Sequence, residues 1–95
     1  MKLASETFGR RLRAIRRDRG FTQAELGALV GRSKQLISAW ECGNHEIRLG
    51  DAERIAVALH CRLEDLLAPL DKRLPRRPSS WFRVQQRLQQ QMKPA

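Results

Sequence analysis

The sequence has little of several residue types, and each shortage excludes a class of protein. Its two cysteines, Cys42 and Cys61, lie far apart and belong to no CxxC pair or His-bearing cluster, so a zinc site has no support and both thiols are expected to be reduced. No apolar run approaches the roughly 18 residues of a membrane-spanning helix. The N-terminal segment becomes charged too early for a signal peptide. We therefore expect a cytoplasmic protein without metal, cofactor or membrane partner.

Catalytic groups and aromatic residues are also scarce. No Ser/His/Asp or Cys/His arrangement is expected to converge, and the acidic residues are scattered as helix caps and surface groups, so we predict no enzymatic activity. The chain has 95 residues, of which 41% are hydrophobic, with two Trp, three Phe and no Tyr. This composition supports one small domain with a modest core.

Basic residues, in contrast, are abundant. Lys and Arg number 19 against 10 Asp and Glu, which gives a net charge of +9 at pH 7. The excess is uneven, because residues 71–95 hold seven of the basic residues and only one of the acidic ones. Such a charge favours an anionic polymer or surface as partner, but by itself it justifies only weak, salt-sensitive binding to nucleic acid.

The apolar pattern predicts an all-α fold, because no strand pattern occurs. Over residues 5–19, the positions of Phe8, Leu12 and Ile15 form one helical stripe. The other faces of that helix carry Arg10, Arg11, Arg13, Arg16 and Arg17. The stripe of a fourth helix consists of Ala52, Ile55, Ala56 and Leu59, with Asp51 as its expected cap, and residues 63–68 predict a short fifth.

Capping residues divide the segment between these helices into two further helices. Gly20 is expected to end the first, with Phe21 folding back as a hydrophobic contact. The spacing of Thr22 and Glu25 is that of a capping box and predicts a second helix over residues 23–30. Gly31 ends it, and a third helix runs from its cap Ser33 to about residue 41, with Gly43 as terminator.

Two small residues are placed where a steep crossing of the second and third helices needs them. Gly27 allows close approach of the backbones, and Gly31 tolerates positive φ in the turn. Ile37 is then the inward residue of the third helix, beside Trp40. This is the spacing of a helix-turn-helix, in which the second helix of the pair is held out to enter a major groove.

The stretches "TQAELGALVG" and "SKQLISAWECG" resemble the Cro and lambda-repressor (XRE) type of helix-turn-helix regulators, over roughly residues 8–68. The resemblance implies a compact five-helix DNA-binding domain over residues 1–70, with the motif at 23–42 and the recognition helix at about 33–41. A Pro-rich basic linker (71–78) and a short amphipathic basic segment (79–95) would follow. Gly27, in place of the family's more usual Ala, is one departure.

The resemblance also implies roles for individual residues. Lys34 and Gln35 are the best candidates for reading bases, because Lys donates to guanine and Gln pairs with adenine in the major groove; Ser38 and Ala39 complete the set of expected base contacts. Contacts with the DNA backbone are expected from Gln23, Arg16, Arg32, Ser33, Asn44, His45 and Arg48. Arg16 and Glu41 are also expected to form an ion pair between the first and third helices. Leu36 is left open, as an edge of the core or an apolar DNA contact.

The last segment has one apolar stripe, formed by Trp81, Val84, Leu88 and Met92 behind a cap at Ser79 or Ser80. The stripe needs a cover, which would be the domain itself, the same helix of a second copy or a different protein bound through residues 79–92. The alternative is a frayed basic extension that adds affinity for phosphate.

Together these features predict a sequence-specific regulator that binds double-stranded DNA, most simply a homodimeric repressor on an inverted-repeat operator, located with the bacterial or phage nucleoid. The alternative is an antitoxin whose C-terminal segment binds a partner protein while the helical body regulates its own promoter. RNA binding is a weaker choice, because the chain lacks an aromatic stacking surface.

Overall fold

The computed structural model describes residues 5–92, which form six α-helices and no strand within that range. They are α1 (Ser5–Asp18), α2 (Gln23–Val30), α3 (Lys34–Glu41), α4 (Leu49–Ala58), α5 (Leu63–Leu67) and α6 (Trp81–Met92). The all-α prediction is thus confirmed. None of these helices is long and apolar enough to cross a membrane.

The ends of the first three helices follow the predicted capping chemistry. Gly20 has φ 80°, and the amide of Phe21 donates to the carbonyl of Arg16 at 3.2 Å, so α1 ends in a left-handed glycine turn. The capping box is present, since Thr22 Oγ1 accepts from the amide of Glu25 and the Glu25 carboxylate accepts from the amide of Thr22. These caps explain how helices of only eight residues keep their boundaries.

The predicted cap of α4 is wrong. The helix begins two residues before Asp51, with Arg48 as its N-cap residue and no side-chain cap. Asp51 lies in the first turn and accepts from Arg32, at 3.1 Å from Nε and 2.9 Å from Nη2. A carboxylate in the first turn still favours the helix dipole, so pairing with a cation there costs α4 little.

One core joins all the helices. The predicted stripes of α1 and α4 are buried in it, as are Ile37 and Trp40. Trp81 of α6 belongs to the same core with 5% of its surface exposed, and Val84 and Leu88 pack against its edge. In this structure the domain itself covers the stripe of α6. The side chain of Met92 and residues 1–4 and 93–95 lie outside the described part.

Two arginines predicted on the outer faces of α1 are buried, which corrects the sequence analysis. Arg11 is 1% exposed and donates to the backbone carbonyls of Asp65 and Lys72. Arg16 is 7% exposed and pairs with Glu41. More than one side of α1 is covered, because α3, α5 and the segment after residue 70 all reach it, and guanidinium donors satisfy backbone carbonyls there.

Candidate nucleic-acid interface

The turn between α2 and α3 is built on two glycines. Gly31 has φ 71°, and the amide of Arg32 donates to the carbonyl of Gly27 at 2.9 Å. A Cβ added to Gly27 would lie 2.5 Å from the carbonyl oxygen of Arg32, a distance that real Cβ atoms do not tolerate. The short connection therefore depends on glycine at both places, as the spacing predicted.

Helix α3 has one buried side and one free side. Ile37 is fully buried and Trp40 is 2% exposed, while Lys34 and Gln35 at the start of the helix are exposed. The Oγ of Ser33 caps the helix by accepting from the amide of Leu36 at 3.1 Å. The polar first turn of α3 thus projects from the domain on a helix that the core holds in place.

The remaining residues of α3 complete this surface. Ser38 and Ala39 are half-buried beside the exposed pair. Leu36 packs against the edge of the core, which decides between its two predicted roles for the free protein.

A buried ion pair connects α1 with the end of α3. Arg16 Nε lies 2.6 Å from Glu41 Oε2, and its Nη2 lies 3.0 Å from Oε1, so the contact is bidentate. Arg16 Nη1 also donates to the carbonyl of Phe21 at 2.8 Å, and the Gln23 amide donates to Glu41 Oε1 at 3.1 Å. One carboxylate therefore fixes the relative positions of α1, α2 and α3.

A basic cleft opens beside this ion pair, where α2 begins. Its volume is about 570 Å³. The lining residues are Arg13, Arg16, Arg17, Thr22, Gln23, Ala24 and Lys34. Four of these carry positive charge and none is acidic, and the free amides of the first turn of α2 add to the positive potential. The basic cleft is suited to hold a phosphate group next to the first residue of α3.

Sequence reasoning missed two residues of the basic cleft, Arg13 and Arg17. Both are exposed on α1 and lie four residues apart, so they share one face of the helix. Their spacing could have separated them from the buried Arg16, but only the packing of α1 against α2 shows which exposed face meets the start of α2.

The other expected backbone contacts lie outside the basic cleft. Arg32 is bound to Asp51, so its guanidinium already has an acidic partner. Asn44 and His45 are exposed in the loop after α3, and Arg48 is exposed at the start of α4. The structure therefore groups Arg16, Gln23 and Lys34 in one place and leaves the loop residues along a separate edge.

Comparison with known proteins decides the family. Residues 7–70 match a family described as "Helix-turn-helix domain", which covers more than half of the chain. The chain belongs to the helix-turn-helix family of the Cro and lambda-repressor type. No curated protein sequence matches this helix-turn-helix protein.

Solved structures share the fold of this helix-turn-helix protein. It is 30% identical to the restriction-modification controller protein C.AhdI from Aeromonas hydrophila, with a TM-score of 0.61, covering 62% of this chain and 86% of that one. It is 34% identical to the P22 c2 repressor protein in complex with a synthetic operator, with a TM-score of 0.60 and coverage of 70% and 96%.

A third similar structure is an enzyme, hydroxypropylphosphonic acid epoxidase from S. wedmorenis. The identity is 31% and the TM-score 0.66, over 73% of this chain and only 37% of the epoxidase. The helix-turn-helix protein therefore resembles one part of that enzyme. Within residues 5–92, no three His, Cys, Asp or Glu side chains are grouped so that they could hold a metal ion.

Proposed function

We propose that this protein regulates transcription by binding double-stranded DNA in a sequence-specific manner, with α3 in the major groove. The observation that carries the proposal is the geometry of α3. Its far side is locked into the core by Ile37 and Trp40, while Lys34 and Gln35 project beside the basic cleft. The similarity to a repressor bound to its operator supports the same use of the surface.

Base reading is assigned to the first half of α3. Lys34 and Gln35 have the reach and the donors to contact guanine and adenine edges, each good pair contributing about 1–3 kcal/mol of discrimination. Ser38 and Ala39 lie next to them, where the Ala39 methyl suits a thymine methyl group. The half-buried positions of both residues match short contacts at the floor of the groove.

Backbone contacts are assigned to the basic cleft and to the loop edge. Arg16 retains two N–H groups beyond its three hydrogen bonds, and Ser33 retains a hydroxyl proton after capping α3. The set proposed to contact phosphates is Arg13, Arg16, Arg17, Gln23, Arg32, Ser33, Asn44, His45 and Arg48. Of these, Arg32 must share its donors between phosphate and Asp51.

A homodimeric repressor without enzymatic activity is the form of this function that we favour. A single recognition helix reads only a few base pairs, and two copies on half-sites about one helical turn apart supply the missing affinity. We assign DNA binding to residues 1–70, with 71–78 as connection and 79–95 as extension, and we place the protein with the DNA in the cytoplasm. The antitoxin alternative has no specific observation in its favour, because Trp81 is buried in the chain's own core.

The test is selection of bound duplexes from a random pool, followed by titration of the selected site at several salt concentrations. We expect an inverted repeat. Gln35→Ala should change the base preference at one position of each half-site. Arg48→Ala should instead weaken all duplexes alike and flatten the salt dependence by about 0.9 for each phosphate that the variant no longer neutralises. Identical behaviour of the two variants on every sequence would contradict the division into base and backbone contacts.

A further inference from the structure

The contacts of α6 converge on three consecutive residues after α1. Trp81 Nε1 donates to the carbonyl of Arg19 at 2.9 Å, in a buried position. Gln85 Nε2 donates to the carbonyl of Gly20 at 3.1 Å. The rings of Trp81 and Phe21 meet edge to face, with centroids 5.8 Å apart. The turn between α1 and α2 is therefore held from outside by a helix that lies beyond the family-matched residues 7–70.

This turn is the support of the basic cleft. Phe21 directly precedes Thr22, the N-cap of α2, and its carbonyl accepts from Arg16 Nη1 at 2.8 Å. The positions of Thr22, Gln23 and Arg16 in the basic cleft thus follow from the position of Phe21. A shift of the turn would move the first amides of α2 and a guanidinium group together.

The approach of α6 to the turn is close and in a fixed register. A Cβ added to Gly20 would lie 2.3 Å from Gln85 Nε2, so the glutamine amide fills the space above this glycine. Arg19, which is fully buried, donates to the carbonyls of Pro75 and Arg76 just before α6. Its guanidinium carbon also lies 5.5 Å from the centre of the Trp81 ring. These contacts hold the segment before α6 as well as α6 itself.

We propose that Trp81 and Gln85 are positioning residues for DNA binding, holding the α1–α2 turn so that the basic cleft is preformed for a phosphate group. The inference rests on the proposed function. It assigns to the C-terminal extension a role in DNA affinity that requires no contact between α6 and DNA. The free energy of ordering the turn is then supplied during folding, so that binding does not have to supply it.

The experiment measures the affinity for the selected duplex and its salt dependence, using the full chain. The variants are Gln85→Ala and Trp81→Phe, which remove one hydrogen bond each, and the matched controls are their exposed neighbours, Gln86→Ala and Phe82→Ala. We expect the first two variants to raise Kd about tenfold and to flatten the slope of log K against log salt by about 0.9, the equivalent of one phosphate contact per protomer. Both controls should keep the wild-type slope.

The slope separates positioning from stability, because a smaller folded fraction lowers the affinity without changing how many phosphates the bound protein neutralises. Binding is measured where circular dichroism shows each variant to be folded. If Trp81→Phe fails to fold, Gln85→Ala at the surface still decides the question. Wild-type slopes for the folded variants would overturn the inference alone, whereas a wild-type chain that selects no duplex would overturn the proposed function and the inference with it.

Discussion

Among single residues, Glu41 has the largest number of functions. Its side chain is 2% exposed and accepts from two nitrogens of Arg16 and from Gln23. Taking both charges out of water is costly, and the bidentate geometry with an additional donor offsets that cost. The pair therefore determines less how stable the domain is than how α1, α2 and α3 are oriented around the basic cleft.

Removal of one partner from this pair should be strongly destabilising. Glu41→Gln leaves the Arg16 guanidinium buried without a countercharge, and we expect a loss of about 3–5 kcal/mol in the free energy of unfolding, measured by urea denaturation. The exposed Glu53→Gln is the control and should stay within about 0.5 kcal/mol of wild type. A loss for Glu41→Gln no larger than that of the control would show that the pair is solvated.

The two cysteines should differ in reactivity. Burial, followed by the nearby Asp65 carboxylate, raises the pKa of the Cys61 thiol from 9.0 to about 11, whereas Cys42 is exposed. Because the thiolate is the nucleophile, we expect Cys61 to react at least about tenfold more slowly than Cys42 with a disulfide reagent at pH 8. The Cys42→Ser variant should show only the slow phase, and a single fast phase in that variant would contradict the prediction.

The same pKa shift affects stability at high pH. The unfolded chain ionises Cys61 near pH 9 while the folded chain keeps it neutral. Its contribution to stability is therefore complete below pH 9 and is lost as the pH rises towards about 11.

At the scale of elements, short helices are stabilised by their neighbours. Helices α2 and α3 have eight residues each, below the length of about 12–15 at which isolated helices become marginally stable in water. Close crossings make up the difference, and glycine controls how close they are. At Gly9 of α1, an added Cβ would lie 2.5 Å from the carbonyl oxygens of both Trp40 and Glu41. Sequence reasoning gave Gly9 no role, since a glycine inside a helical pattern has no distinctive signal.

Two substitutions of glycine by alanine in helices should have opposite effects. Gly9→Ala forces α1 away from the end of α3, and we expect a net loss of about 1–3 kcal/mol in spite of the better helix propensity. Gly50→Ala in the first turn of α4 meets open space and should stabilise by about 0.5–1 kcal/mol. Both are measured by thermal or urea unfolding, and a stabilising Gly9→Ala would show that the crossing is looser than described.

At the scale of the whole molecule, the core depends on a residue from outside the family-matched segment. Trp81 packs on Phe21 and, at 5.2 Å between ring centroids, on His60, which has a positive φ of 53° at the end of α4. The Trp81 side chain thus connects the ends of α1 and α4. The C-terminal extension is consequently part of the folding unit in this structure.

Two adjacent aromatic residues of α6 test this dependence. Trp81→Ala should lower the free energy of unfolding by about 3–5 kcal/mol, because it opens a cavity beneath α6. Phe82→Ala removes a ring that is 71% exposed and should change stability by about 0.5 kcal/mol or less. Urea titration followed by far-ultraviolet circular dichroism measures both, and equal effects would mean that α6 is not docked in solution.

The sequence by itself determined the local structure and the family. Caps such as the Thr22–Glu25 box act over three residues, and a stripe such as Phe8, Leu12 and Ile15 requires only helical periodicity, so both can be read from neighbours along the chain. The recognition helix followed from the same kind of signal, since Ile37 and Trp40 define its buried side.

Only the tertiary structure decided how those elements surround the arginines of α1 and where the extension goes. Arg11 and Arg16 are buried because distant carbonyls and a carboxylate satisfy their donors, whereas Arg13 and Arg17 on the same helix face the basic cleft. Likewise Trp81 found its cover in the domain instead of in a partner. The physical reason is that the burial of a long cationic or aromatic side chain depends on groups 25–62 residues away in sequence, which no local pattern encodes.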